Sequence, residues 1–198
     1  ADARAFARLM RHIRETDQAE QTVIMIQLEN EIGTLGIERD YSEAAQRAFE
    51  AEVPAVMPGA RGAWAASYGE QAPIYLMEYA YASAVERIAR AGQAEYALPM
   101  FVNAWLEKFP WRPGTWPCGC PVARFIPVWQ ACAPSVAFTA PDVYVSDFAD
   151  VCEAYTAHGN PLFIPEHRQD LEHMSDALYA YGMGALCFAP FGLEDFFT

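Results

Sequence analysis

The chain has 198 residues, is 53% hydrophobic and 14% aromatic, and carries 26 Asp and Glu against 13 Lys and Arg, a formal charge of −13. That much apolar material builds a packed core and excludes a disordered chain. The acidity excludes the cationic surface that nucleic acid or an anionic membrane requires, and no apolar run reaches the length of a membrane span, so a neutral or cationic small molecule is the expected partner.

Residues 1–16 place Ala5, Phe6, Leu9, Met10 and Ile13 on one helical stripe opposite arginines, the pattern of an amphipathic helix. Residues 22–28 (TVIMIQL) form a nearly continuous apolar, β-branched run and predict a strand buried on both faces, as parallel strands are. The polar run Glu29-Asn30-Glu31-Ile32-Gly33 follows at once. Residues 34–72 predict a long, irregular connection with a short helix at 42–52, and connections of that length tend to be functional. A strong helix is expected over 73–91, with Pro73 in its first turn and Gly92 at its end.

A strand at 98–103 leads into a Trp/Pro/Gly loop at 105–120, followed by a helix at 121–132. A strand at 136–140 leads into Pro141-Asp142-Val143-Tyr144, then a helix at 147–157 capped by Ser146 or Asp147. A short strand at 161–165 ends at Glu166, a helix covers 170–181, and a last strand covers 184–190. Five strands alternating with helices read as a parallel sheet with crossover helices, an α/β fold in one domain over 1–198. Neither GxGxxG nor GxxxxGK[ST] follows any strand, which removes the main support for a dinucleotide or nucleoside triphosphate.

Five cysteines at scattered positions do not make a disulfide framework. Cys118-Gly119-Cys120 lacks further ligands at short, regular spacing, and His12, His158, His167 and His173 do not supply them. No metal and no cofactor is therefore expected. The chain opens at Ala1 inside a helical pattern, without the basic and apolar regions of a signal peptide, and reads as a piece of a longer or processed protein. The compartment, bacterial cytoplasm or periplasm, stays open.

In a parallel α/β architecture chemistry gathers at the C-terminal ends of strands. Those ends carry Glu29, Asn30 and Glu31, then Asn103 and Trp105, then Asp142 and Tyr144, then Glu166, then Phe191. Aromatic faces stack on sugar C–H surfaces, Asn and Tyr orient hydroxyls, and two carboxyl groups cleave a glycosidic bond through an oxocarbenium-like state. Each residue also has a plainer role. Glu31 could be a solvated carboxylate, Glu166 could bond the next helix's N-terminus, Asp142 could brace its loop, and Trp105, Trp111 and Trp116 could be loop packing.

Gln27-Leu28-Glu29-Asn30-Glu31-Ile32-Gly33 resembles the QxENExG signature of family-35 β-galactosidases, members of a clan of (β/α)₈ glycosidases in which family 42 is a near relative. The resemblance covers nearly the whole chain. It implies a partial TIM barrel made of strands four to eight, with strands one to three absent, since a full barrel takes ~250 residues. It implies retaining hydrolysis of β-galactosides without cofactor or metal, with Glu31 as acid/base and Glu166 as nucleophile. Asn30 would hold the sugar 2-hydroxyl, while Glu29, Asn103, Trp105 and Tyr144 would contact substrate. Strict alternation would turn Asn30 away from Glu31, so the strand must end or bulge by Asn30. The open edges at 22–28 and 184–190 predict a homo-oligomer or a missing N-terminal barrel half. A carbohydrate-binding remnant without turnover is the second reading. An aldolase or metal-dependent hydrolase barrel is the third, disfavoured by the few lysines and the absent ligand cluster.

Overall fold

The computed structural model describes residues 1–108, 110–193 and 195. Five strands form one sheet: β1 (Ile26–Gln27), β2 (Met100–Ala104), β3 (Phe138–Val143), β4 (Phe163–His167) and β5 (Cys187–Pro190). All neighbours are parallel, and the spatial order follows the chain, β1-β2-β3-β4-β5. Each crossover thus advances one place in the same direction, and the sheet curls into a half-barrel compatible with part of a (β/α) barrel. Among the described residues no helix is long and apolar enough to cross a membrane.

The helices are α1 (Asp2–Asp17), α2 (Glu43–Glu50), α3 (Trp64–Tyr68), α4 (Ala72–Gln93), α5 (Ile126–Cys132), α6 (Phe148–Thr156) and α7 (Met174–Gly182). Strand parity divides the side chains between two cores. Met100, Val102, Ala104, Val143 and Ile164 pack outward with the helices, while Phe101, Phe138, Ala140 and Phe163 share the inner face. Phe101 and Phe138 stack with centroids 5.3 Å apart. This aromatic layer forms a floor below the ends of the strands.

Several expected boundaries move, each for a local reason. The strand expected over 22–28 shrinks to Ile26–Gln27, and Ile24 is exposed. Among the described residues it is an edge strand whose partner is β2, so its outer backbone edge is unpaired. Gly92 does not end its helix, which runs to Gln93. Its missing side chain makes room instead, because a Cβ there would stand 2.2 Å from the Phe6 ring of α1. Asp147 is the N-cap of α6, yet no side chain caps it. The connection after β1 is more ordered than expected. It holds α2 and α3, buries Trp64, and ties the Trp64 indole to the Ala48 carbonyl at 3.0 Å.

One buried group has no part in the strand ends. Glu78, on α4, is 0% exposed. Its Oε2 accepts from the Trp129 indole at 2.9 Å, and its Oε1 is buried without a partner among the described residues. Burial holds its carboxyl well above the usual range, with the Trp129 hydrogen bond offsetting part of that.

At the far edge, Leu171, Met174, Leu178 and Tyr181 line up at intervals of three and four residues and all stay exposed. Among the described residues β1 and β5 each have a strand partner on one side only.

Candidate functional site

The sheet delivers Glu31 and Glu166 to one cleft by two backbone devices. After β1, Glu29 (φ 58°) and Glu31 (φ 47°) both take the left-handed conformation. That conformation costs an L residue about 1–2 kcal/mol, and it breaks the strand alternation, so Glu31 turns inward. Gly33 completes the turn at φ 147°, where a Cβ would meet Pro117 at 2.5 Å. Only glycine lets this backbone approach the Trp loop so closely.

Glu166 lies inside β4, not beyond its end as the sequence suggests. Between Ile164↔Phe188 and His167↔Pro190 the pairing with β5 slips, with three steps on β4 against two on β5. This bulge re-aims one side chain. Ile164 and His167 both face the helices, and Glu166 is turned into the cleft. His167 is therefore structural, with Nε2 3.2 Å from Asp176 and its ring edge-on to Phe148.

The cleft has a volume of about 400 Å³ and is lined by Glu31, Trp105, Leu106, Lys108, Asp142, Tyr144, Val145 and Glu166. Glu31, Asp142 and Glu166 each present one oxygen, all within 4.8 Å of one another. Asp142 and Glu166 are direct partners across β3 and β4. The Tyr144 hydroxyl donates to Glu166 Oε2 at 2.9 Å. Desolvation, then that hydrogen bond, push the phenol proton far up, so Tyr144 remains a donor. Arg168 fixes Tyr144 from behind, its guanidinium donating to the Tyr144 carbonyl, from Nε at 3.1 Å. Lys108 holds its ammonium 4.7 Å over the Trp105 ring, and the Cys120 thiol reaches the Trp105 carbonyl at 3.8 Å.

Asn103 is the hub beneath. Its Oδ1 accepts from the Glu31 backbone N–H at 3.0 Å, and its Nδ2 donates to Asn30 Oδ1 at 3.0 Å and to Asp142 Oδ2 at 2.8 Å. Asn103 is buried, so it orients the site residues rather than lining the cleft.

Of the residues singled out in the sequence, Glu31, Glu166, Trp105 and Tyr144 meet in the cleft, and Asn30 and Asn103 lie in the network behind it. Glu29 does not join them. It borders a separate groove between β1 and α1, because its left-handed backbone turns it away. Trp116 is buried in the core and Trp111 lies exposed on another groove. Asp142 is the residue that sequence reasoning undervalued. Parity was the signal: a strand carried past Pro141 puts Asp142 on the same face as Phe138 and Ala140. Cys118 and Cys120 are free and buried, and Cys118 forms a two-hydrogen-bond bridge with Thr34.

Glu31, Asp142 and Glu166 are also the residues whose spacing would suit a metal ion. Chemically, the arrangement offers a close pair of accessible carboxyls, a third buried one, a phenol donor and an aromatic wall. A scan of protein-family models finds no match to this chain, and a search of curated proteins finds none either.

Proposed function

We propose that the chain is the catalytic part of a retaining β-glycosidase of the family-35 β-galactosidase type, its five strands being the fourth to eighth of a (β/α)₈ barrel. The observation that carries this reading is the approach of Glu31 and Glu166, one oxygen of each within 4.8 Å, in a cleft walled by Trp105 and Tyr144. Retaining enzymes set their two carboxyl groups ~5–5.5 Å apart, whereas inverting enzymes leave room for a water at ~6.5–9.5 Å.

Glu31 protonates the leaving oxygen while Glu166 attacks the anomeric carbon, giving a covalent glycosyl-enzyme. Glu31, now a base, takes a proton from the water that releases the sugar. Tyr144 orients Glu166 by its hydrogen bond. Trp105 offers the sugar an apolar face. The substrate is a β-galactoside.

Two experiments test this. Glu31→Gln should slow glycosides with poor leaving groups by about 10³-fold while sparing the first step on activated aryl glycosides. Equal and complete loss on both would remove the acid/base role. A 2-deoxy-2-fluoro β-galactoside should label Glu166, read by peptide mass, and a label on any other residue would overturn the nucleophile. The second reading is sugar binding in the same cleft without turnover. Galactose binding with no hydrolysis would select it.

A further inference from the structure

Asp142 is 3% exposed, whereas Glu31 and Glu166 are half-buried. Its two oxygens differ. Oδ2 accepts the Asn103 amide at 2.8 Å. Among the described residues no donor reaches Oδ1, which is buried. The neighbouring polar groups in the cluster, the Glu31 and Glu166 carboxyls, are acceptors when ionised. A buried carboxyl oxygen that no donor reaches is satisfied when it carries a hydrogen itself and gives it to a neighbouring acceptor.

Three carboxylates this close, one of them buried, do not all stay ionised together. A proton suits the site better than a metal ion as the neutralising charge. The Asn103 N–H and the Tyr144 O–H already point hydrogens at two oxygens of the cluster. A hard divalent cation, by contrast, asks for about six oxygen ligands.

On the glycosidase reading above, we propose that Asp142 is a positioning residue that keeps a proton on Oδ1 throughout turnover and donates it as a hydrogen bond to Glu31. In the first half-reaction the proton of Glu31 goes to the leaving oxygen, the bond from the anomeric carbon to that oxygen breaks, and the bond to Glu166 forms. Asp142 then steadies the newly anionic Glu31. In the second half-reaction water gives a proton to Glu31 and its oxygen bonds the anomeric carbon, while the bond to Glu166 breaks. Asp142 ends each half as it began. Its neutrality also spares Glu166 a second negative charge on the adjacent strand.

Burial first, then the Glu166 charge and contact with Glu31, raise the Asp142 carboxyl to about 9. The groups facing it are Glu31 after β1, Cys120 and Lys108 after β2, Tyr144 after β3, Glu166 on β4 and Tyr155 on α6. Cys120, Tyr144 and Tyr155 are themselves shifted upward.

The test uses the full chain labelled with ¹³Cγ-aspartate, the Asp142 signal being assigned by its absence in Asp142→Asn. The signal should titrate above pH 7, and titration near the ordinary Asp value of about 4 overturns the proposal. In parallel, Asp142→Ala should hydrolyse an aryl β-galactoside about 100-fold more slowly. Asp142→Asn, whose amide supplies both a donor and an acceptor, should recover most of that loss. It should also lack the wild-type fall in activity as pH rises through the raised Asp142 value. Rates are compared per folded molecule, from circular dichroism. An Asn variant as slow as the Ala variant overturns the proposal, because it would show that the carboxylate form is needed. If the unaltered chain hydrolyses nothing, the glycosidase reading fails on its own, and the carbon-13 titration still decides the proton.

Discussion

Asp142 and Glu78 are near twins by local description. Each is almost wholly buried, at 3% and 0% exposure. Each has one oxygen held by an N–H donor, from Asn103 at 2.8 Å and from Trp129 at 2.9 Å, and one oxygen with no partner. Burial is the leading cause of the raised carboxyl in both. They differ in company. Glu78 lies between α4 and α5 and does not line the cleft, while Asp142 borders it with two other acids. A buried, proton-holding acid is therefore no mark of chemistry by itself. What sets Asp142 apart is convergence with Glu31 and Glu166 where a ligand can enter.

The sharpest way to break this comparison is truncation. Glu78→Ala leaves a cavity and an unaccepted Trp129 N–H, and should cost about 3 kcal/mol of stability, lowering the melting temperature by about 6–12 °C. Its hydrolysis rate per folded molecule should not change. Asp142→Ala should show the reverse, a large loss of rate and a smaller shift in melting, because its cavity opens to the cleft. If Glu78→Ala slowed turnover of the folded fraction, the division between the two acids would fail.

A smaller effect isolates the donor. Trp129→Phe removes the hydrogen bond to Glu78 and should cost about 2 kcal/mol, read by urea unfolding.

The smallest effect is in pH. Both carboxyls are raised, so the folded chain keeps protons that the unfolded chain releases above ~4. Stability should fall as pH rises from there towards the raised values. Asp17, Asp40, Glu95 and Asp170 are lowered by hydrogen bonds, so their contribution is lost only on going below that range. The melting temperature should therefore peak on the acid side of neutrality. Glu78→Gln and Asp142→Asn should each flatten the alkaline fall, and a melting temperature that climbs towards pH 9 would contradict both assignments.

The same contrast explains what could be read from the sequence. Alternating apolar runs and helical stripes are local patterns, and they located all five strands and the main helices in order. Glu31 and Glu166 were legible because each follows such a run. Where a feature depends on a neighbour, the chain is silent. The length of β1 depends on its lone partner strand. The bulge that turns Glu166 inward is a mismatch between β4 and β5, visible in neither segment alone. Asp142 was legible at a strand end, but its burial was hidden by Pro141, which reads as a strand terminator yet sits in the middle of β3, paired with Ala104. Glu78 was hidden by its helix, since its burial depends on Trp129 arriving from a separate segment.

Asn103 spends one acceptor and both amide hydrogens on three different partners. It acts as a splint. The backbone of Glu31 and the carboxyl of Asp142 are braced against a single side chain on β2, a strand with a partner on either side. The Glu31 turn and the Asp142 carboxyl thus share one inner strand as their common reference, although they come from separate parts of the chain.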